Sequence, residues 1–191
     1  MGVFTVGIDL DNTIWALGER ALELLNEKYH TNIQFDECEY DIEKTFKRKV
    51  VAYNDDINDY YYNAAYDAKV YPYAQDVINA IEDDDRYEVY FCTSSTIDEI
   101  HIKHHRLSTM FDWYSQDRLI VTSHKELVAF DYFIDDLPKY FSHNHKNDYM
   151  MLQPYNVDNM SVVPNVIYNW LDMYDELGLH GYVGKGDAYD S

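Results

Sequence analysis

The chain has 191 residues, a formal net charge of −20 and a hydrophobic share of 47%. This length suits one core domain with room for a modest insertion, and the apolar share is large enough for a buried core. A chain this acidic repels the nucleic-acid backbone and anionic membranes, so we expect neither polymeric nucleic acid nor a membrane as a partner. A small anionic substrate stays compatible with the charge, because a bound divalent cation reverses the local field.

The sequence carries no signal for export or membrane insertion. The apolar stretch over residues 3–8 is too short for a secretory signal, and no apolar run approaches the roughly 20 residues of a membrane span. Cys38 and Cys92 form neither a disulfide framework nor a metal-ligand spacing, which is typical of a reducing compartment. We therefore expect a cytoplasmic protein, and a homodimer is compatible with the sequence.

The first part of the chain predicts a strand followed by a helical insertion. Residues 3–8 are apolar and β-branched and predict a buried strand that ends at Asp9. Apolar residues at helical spacing predict helices over residues 17–29, 43–53 and 57–67. We expect residues 16–71 to form a small helical cap, inserted between the two segments of a core domain, 1–15 and 72–180.

The second part of the chain alternates helices with strands. Helices are predicted over residues 73–81, 97–107 and 166–177, and strands over 87–92, 118–122, 132–134 and 149–152. In the helix over 97–107, the spacing predicts an inner face of Ile97, Ile100, His104 and Leu107. This alternation predicts an α/β fold with a Rossmann-like parallel sheet and helices on both faces. Residues 181–191 are polar and Gly-rich and predict a flexible tail.

Three predicted strands end in polar groups that can carry chemistry. These groups are, in chain order, Asp9 and Asp11, Thr93 and Ser94, and Asp135 and Asp136. Because ligands bind at the C-terminal ends of strands in such sheets, we expect the three pairs to converge. Crowded carboxylates repel one another and need a hard cation, and Mg²⁺ prefers one or two carboxylates with waters and phosphate oxygens.

The converging groups suit phosphoryl transfer. Of two carboxylates two residues apart, Asp9 can act as a nucleophile while Asp11 moves protons. Thr93 and Ser94 offer hydroxyls and loop N–H groups before a helix, which suits a phosphate, and Lys125 adds a positive charge. The sequence therefore predicts a Mg²⁺-dependent phosphohydrolase that forms an aspartyl-phosphate on Asp9.

These motifs resemble those of the haloacid dehalogenase superfamily. The segment DLDNT at residues 9–13 is similar to its motif I, and Thr93 at a strand end is similar to motif II. Lys125 resembles motif III, and Asp135-Asp136 resembles motif IV. The small helical cap, the segment FIDDLP at 133–138 and a final helix with a tryptophan are most similar to the 5'(3')-deoxyribonucleotidase family.

The resemblance implies a role for each motif residue. Asp9 would be the nucleophile, and Asp11 would be the general acid and base and would offer a backbone carbonyl to Mg²⁺. Asp136 would be a direct metal ligand, with Asp135 close by or bridged through water. The phosphate would be held by Thr93, Ser94 and Lys125. The implied substrate is a small phosphorylated metabolite of the (deoxy)nucleoside monophosphate class.

Substrate identity stays open at this point. Position 12 is Asn where the family usually has Gly, and the cap has no visible match to the family's base-binding aromatic residues. The candidates for stacking a base are Trp15, Phe46, Tyr53 and Tyr61. The motifs also fit a phosphatase for another phosphoester such as a sugar phosphate, a phosphotransferase, or a catalytically silent nucleotide-binding module.

Each motif also has an ordinary structural explanation. Asp9 and Asp11 could form a strand-end turn, and residues 93–95 could cap the following helix. Lys125 could be a surface lysine, and the tyrosines at 60–62 could belong to the cap core. The three histidines at 101, 104 and 105 have a spacing that suits a metal, but we expect one packed and two exposed side chains.

Overall fold

A computed structural model describes residues 2–180 of the chain, and the tail predicted over 181–191 lies outside these residues. Its centre is a six-stranded sheet in which every neighbouring pair of strands is parallel. The strands are β1 (Phe4–Ile8), β2 (Tyr87–Thr93), β3 (Leu119–Val121), β4 (Phe130–Asp135), β5 (His145–Met151) and β6 (Asn165–Ile167). The α/β class and the Rossmann-like parallel sheet predicted from the sequence are confirmed.

The sheet has the order β3-β2-β1-β4-β5-β6. The chain builds outward from β1 on one side and then returns to its other side with β4. The boundary between β1 and β4 is thus the point where the direction of winding reverses, which is where ligands bind in open α/β sheets. Asp9 and Asp135 sit at this boundary, one at the end of each strand.

Six α-helices accompany the sheet in the described part of the chain. They are α1 (Leu17–Tyr29), α2 (Ile42–Lys49), α3 (Ile57–Asp67), α4 (Ala74–Glu82), α5 (Ile97–Met110) and α6 (Trp170–Glu176). The side chain of Asp56 accepts a hydrogen bond from the Asn58 N–H at the start of α3. Thr96 and Glu99 form a reciprocal capping box at the start of α5, so two free N–H groups are satisfied there.

The sheet has different coverings on its two faces. Phe91 belongs to the larger core cluster, which includes residues of α4, α5 and α6, whereas its neighbour Cys92 belongs to a second cluster. Successive strand residues point to opposite faces, so the clusters lie on opposite sides. The second cluster is completed by Phe130, Phe133 and Tyr140, with 3₁₀ turns rather than α-helices over this face.

Helices α1, α2 and α3 lie between β1 and α4 and share a core of their own. This core is made of Leu22, Leu25, Ile33, Cys38, Ile42 and Phe46. The two chain segments that lead to and from these helices pair with each other, since Ala16 N–H donates to Lys69 O and Tyr71 N–H donates to Ile14 O, both at 2.8 Å. The cap boundaries at 16 and 71 stay a prediction, and these paired segments are their structural counterpart.

The closing helix begins later than the predicted range of residues 166–177, so the predicted start is wrong. Val166 and Ile167 belong to β6 and pair with β5, which suits two β-branched residues. The helix starts only after Asn169, whose side chain accepts a hydrogen bond from the Leu171 N–H at 2.8 Å. The predicted helix over 43–53 likewise ends earlier, at Lys49. Within residues 2–180, the helices are not long and apolar enough to cross a bilayer.

Candidate active site

Three buried carboxylates meet where β1 and β4 end. Oxygens of Asp9, Asp135 and Asp136 all lie within 4.8 Å of one another, and none of the three residues is more than 3% exposed. The backbone sets this arrangement, because β1 and β4 are neighbours and Asp9 N–H donates to Ile134 O at 2.9 Å. Three carboxylates this close repel when ionised, so the cluster favours a bound cation.

Lys125 neutralises part of this cluster. Its ammonium lies 2.5 Å from Asp9 Oδ1 and 2.7 Å from Asp135 Oδ2, and the residue is 3% exposed. Burial opposes its charge, but the two carboxylates raise the pKa of Lys125 well above its ordinary value. Lys125 is therefore a buried cation in direct contact with Asp9, which is incompatible with the alternative of a surface lysine.

Burial and mutual repulsion raise the pKa values of the carboxylates in the cluster. Burial raises the pKa of Asp9 to about 7, since the opposing effect of Lys125 is itself offset by Asp135 and Asp11. Burial, then the charges of Asp135 and Asp9, also raises the pKa of Asp136. A divalent cation would relieve both effects, because it favours the ionised form of each carboxylate.

The donor set around the cluster fits Mg²⁺. The oxygens that lie close together belong to carboxylates, which are the ligands that hard cations prefer. Asp135 is engaged by Lys125 and by the Leu137 N–H at 2.7 Å, which leaves Asp9 and Asp136 as the carboxylates best able to take a metal. Asp136 is held by the Tyr155 hydroxyl and, at its carbonyl, by Asn156 Nδ2 at 2.8 Å.

Asp11 is held by two donors from different parts of the chain. The indole N–H of Trp15 donates to Asp11 Oδ1 at 3.0 Å, and the ammonium of Lys103 lies 2.5 Å from Asp11 Oδ2. The same ammonium donates to Thr93 Oγ1 and to Ser94 O, each at 3.1 Å. Lys103 thus ties Asp11 to the end of β2 and uses all three of its donors.

Lys103 was not among the residues predicted from the sequence. The predicted inner face of α5 is correct for Leu107 but wrong for Ile97, which is 83% exposed, and Ile102 and Lys103 are buried in addition. The helix is rotated so that Lys103 reaches acceptors at the strand ends, and a buried lysine needs such partners. The only sequence signal is that Lys103 directly follows an apolar residue and stands four residues before Leu107, at the spacing of one helix face.

The backbone conformation at position 12 shows why Asn can replace the Gly that is usual there. Its φ angle is +58°, in the left-handed region that Gly adopts freely and that Asn tolerates better than other residues. Its side-chain oxygen accepts from the Gly18 N–H at 2.8 Å, and its carbonyl accepts from Gln153 Nε2 at 2.7 Å. The turn between Asp9 and α1 is therefore anchored on both sides.

Thr93 and Ser94 lie next to the carboxylates, at the end of β2. Thr93 is fully buried, and Ser94 Oγ donates to Thr122 O at 3.1 Å. The alternative in which residues 93–95 cap the following helix is wrong, because Thr96 is the N-cap of α5. Ser94 lines the cavity at the sheet edge, whereas the Thr93 hydroxyl donates to Ser94 O at 3.2 Å and accepts from Lys103.

The carboxylates open into a small cavity. It has a volume of about 90 Å³ and is lined by Asp9, Asp11, Asn12, Tyr40, Ser94, Lys125, Asp136, Leu137 and Tyr140. A water molecule takes roughly 30 Å³ of liquid volume, so this space suits a phosphate group rather than a whole nucleotide. A groove of about 500 Å³ adjoins it at Ser94, between the starts of α3 and α5 and the loop after β3.

The structure buries two of the four aromatic candidates for base stacking. Trp15 and Phe46 are 0% exposed, Trp15 in the main core and Phe46 in the core of the inserted helices, so neither offers a free ring face. Tyr53 is half-buried in the latter core. Tyr61 is half-buried between the two cores, and burial with the charges of Asp41 and Asp11 raises its pKa.

The aromatic residue that does line the cavity from the inserted helices is Tyr40. It is 48% exposed, lies just before α2 and packs edge-on against Tyr155, with ring centroids 5.4 Å apart. Local pattern could not single out Tyr40 among 20 tyrosines. The histidines on α5 behave as expected, since His104 bonds the Tyr114 hydroxyl at 2.9 Å and His101 and His105 are exposed.

The fold is shared with solved structures described as haloacid dehalogenase-like. The chain is similar to the hydrolase YfnB of Bacillus subtilis, crystallised with magnesium (TM-score 0.59, 16% identity, 94% of this chain and 100% of that one). It is also similar to a haloacid dehalogenase-like protein of Agrobacterium tumefaciens (TM-score 0.62, 10% identity, 93% and 98%). None of the curated proteins matches it in sequence.

The sequence itself matches a family along nearly its whole length. Residues 3–180 match the family described as 5' nucleotidase, deoxy (pyrimidine), cytosolic type C protein. This range includes every strand of the sheet and every carboxylate of the buried cluster. The chain therefore belongs to this family of the haloacid dehalogenase superfamily, and it is a phosphatase of the nucleotidase type.

Proposed function

We propose that the chain is a Mg²⁺-dependent phosphomonoester hydrolase that dephosphorylates (deoxy)nucleoside monophosphates through an aspartyl-phosphate on Asp9. The observation that carries the proposal is the contact of Asp9 Oδ1 with Lys125 Nζ at 2.5 Å inside a buried carboxylate cluster. Lys125 fixes the nucleophile and offers a positive charge to the phosphoryl oxygens. Family membership supports the same reaction class.

The proposed reaction has two displacements at phosphorus. In the first, an oxygen of Asp9 bonds to phosphorus, the bond from phosphorus to the ester oxygen breaks, and Asp11 gives a proton to that oxygen. In the second, Asp11 takes a proton from water, the water oxygen bonds to phosphorus, and Asp9 leaves with its carboxylate restored. Thr93, Ser94 and Lys125 hold the phosphoryl oxygens in both steps.

The metal assignment rests on the donors described above. Asp9 and Asp136 would hold Mg²⁺ with their side chains and Asp11 with its backbone carbonyl, and Asp135 would orient Lys125. When bound, Mg²⁺ supplies positive charge that offsets the charge of the phosphate and of the carboxylates. The magnesium in the crystals of YfnB is in keeping with this choice.

The nucleotide assignment rests on the cavity and its neighbours. The cavity of about 90 Å³ is too small for a whole nucleotide, so the rest of the substrate would extend past Tyr40 or into the groove beyond Ser94. The half-exposed ring of Tyr40 can stack on a base, and the half-buried Tyr61 is a second candidate. We further propose that the protein works in the cytoplasm, in line with the family's description. Light scattering would test the homodimer.

The test is phosphate release from 5'- and 3'-monophosphates, ribo and deoxy, beside sugar phosphates, with and without Mg²⁺. We expect turnover of nucleotides that needs Mg²⁺ and is lost in Asp9→Asn. Turnover of a sugar phosphate but of no nucleotide would favour the second candidate, a phosphatase for another small phosphoester. Tight nucleotide binding without turnover would favour the silent binding module, and full activity of Asp9→Asn would refute the assigned nucleophile.

A further inference from the structure

Trp15 sits in the connection between the core and the inserted helices. Its backbone pairs with Val70 in the returning segment and with Asp11 in the motif loop, where Asn12 N–H donates to Trp15 O at 2.8 Å. Its side chain is fully buried, and its indole N–H holds Asp11 Oδ1 at 3.0 Å. Trp15 thus contacts both the returning segment at Val70 and Asp11, the proposed general acid and base.

Arg106, on α5 of the core, binds the end of cap helix α3. Its guanidinium donates to Ala65 O at 2.9 Å and to Ala68 O at 2.5 Å. The last carbonyls of a helix have no partner within the helix and carry partial negative charge, so a cation is favourable there. Burial lowers the pKa of Arg106, but an arginine keeps its charge because its ordinary value is so high.

The same guanidinium also lies on the ring of Trp15, with 4.3 Å from Cζ to the ring centroid. A cation–π contact of this kind is stronger when it is shielded from water. An unbroken series of contacts therefore runs from the end of α3 through Arg106 and Trp15 to Asp11. We propose that Arg106 and Trp15 are positioning residues. They couple the packing of the inserted helices against α5 to the orientation of the Asp11 side chain.

The coupling follows from shared contacts. If the end of α3 moves away from α5, Arg106 must either lose the two carbonyls or leave the face of Trp15. Without the guanidinium against its ring, the Trp15 indole is held less firmly and its hydrogen bond to Asp11 weakens. Lys103 is then the remaining fixed partner of the Asp11 carboxylate. The Asp11 side chain would therefore have its catalytic orientation only while the end of α3 is packed against α5. This inference rests on the proposed function, because it assigns Asp11 the role of acid and base.

The test compares Arg106→Met with the matched control Arg20→Met. Arg20 also holds the end of α3, through two hydrogen bonds to Asp67 at 2.9 and 3.0 Å, but it does so from α1 within the inserted helices. We expect Arg106→Met to lower kcat about tenfold with little change in KM, less than the roughly 10²-fold loss that a 1 Å misplacement can cause. Arg20→Met should stay within about twofold of the wild type.

Two further measurements separate positioning from general loss of stability. Trp15→Phe keeps a ring but loses the donor, so it should lower kcat, and the double variant with Arg106→Met should lose no more than the worse single variant. Hydrogen exchange without substrate should rise in Arg106→Met both over residues 64–71 and over residues 10–17. If Arg106→Met fails to fold, Arg106→Lys, which keeps the charge without the paired geometry, takes its place.

The outcomes are distinct for the two proposals. A wild-type protein that releases phosphate from no monoester overturns the proposed function, and hydrogen exchange still decides on the coupling. Multiplicative losses in the double variant, equal losses in Arg20→Met, or faster exchange confined to residues 64–71 would each overturn the coupling. Faster exchange over residues 10–17 in Arg106→Met, absent from Arg20→Met, supports it.

Discussion

Lys103 and Asp11 form an ion pair across 92 residues of sequence, with 2.5 Å between Nζ and Oδ2. The lysine is 1% exposed, whereas the Asp11 side chain keeps 24% of its surface in contact with solvent. One partner is therefore fixed inside the protein, and the other faces the cavity that would take a phosphate. The buried ammonium therefore orients a half-exposed carboxylate toward the cavity.

Replacing Lys103 by Met should reduce turnover and stability together. Asp11 would lose its charged partner, and Thr93 and Ser94 would lose a donor. Since Asp11 is partly solvated, we expect the free energy of unfolding to fall by less than the roughly 3–5 kcal/mol of a fully buried pair. Urea unfolding and kcat measure the two effects. Lys47→Met, which removes an exposed lysine from α2, should change neither, and a normal kcat in Lys103→Met would contradict the assignment.

Magnesium should stabilise the protein more as the pH rises. Burial raises the pKa of Asp9 from 3.8 to about 7 in the metal-free protein, so folding favours its protonated form. The stability due to this proton is fully present below about pH 4 and is lost as the pH rises towards 7. Mg²⁺ needs the ionised form, so the gain in Tm on adding it should be larger at pH 7.5 than at pH 5.5.

The size of this gain depends on the magnesium concentration. At a hundred times Kd, the gain is about 2.7 kcal/mol, which raises Tm by roughly 5–10 °C in a chain of this size. Thermal melts with Mg²⁺ and with a chelator measure it. Asp136→Asn should diminish the gain, whereas Asp85→Asn, an exposed acid far along the chain from the cluster, should keep it. A gain that falls with rising pH would contradict the proposed ligands.

Tyr40→Ala should weaken nucleotide binding without impairing the chemical step. Stacking of a base on an aromatic side chain is worth about 1–3 kcal/mol, which corresponds to a rise in KM of roughly 5- to 150-fold. The kcat/KM for a substrate without a base should stay nearly constant. Tyr66→Ala is the matched control, because Tyr66 is a 58% exposed tyrosine on α3 that does not line the cavity. Equal KM values in both variants would exclude Tyr40 as the base platform.

Gly7→Ala should destabilise the strand that carries Asp9. A Cβ atom at Gly7 would lie 2.5 Å from the ring of Phe130, too close for any contact between carbon atoms. Overpacking of this kind costs about 1–3 kcal/mol, and the shift of β1 against β4 should also lower kcat. Gly2→Ala, where nothing lies within 4 Å, is the control for the melting experiment. An unchanged Tm in Gly7→Ala would mean that Phe130 moves aside freely.

The sequence by itself determined the fold class and the order of the motif residues. Apolar runs predicted the strands that end at Asp9, Thr93 and Asp135, and the rule that parallel strand ends share one edge brought them together. Lys125 could be recognised only by its order among these motifs. Such inferences succeed because they depend on local periodicity and on one general property of parallel sheets.

Only the tertiary structure decided which side chains surround the carboxylates. Lys103 reaches Asp11 because α5 turns Ile102, Lys103 and Leu107 inward and leaves Ile97 exposed, and Tyr40 lines the cavity because the inserted helices fold back over the sheet edge. Trp15 is buried although it was among the candidates for stacking a base. Each of these contacts joins residues far apart in sequence or depends on the packing of whole elements, so no local pattern of residues encodes it.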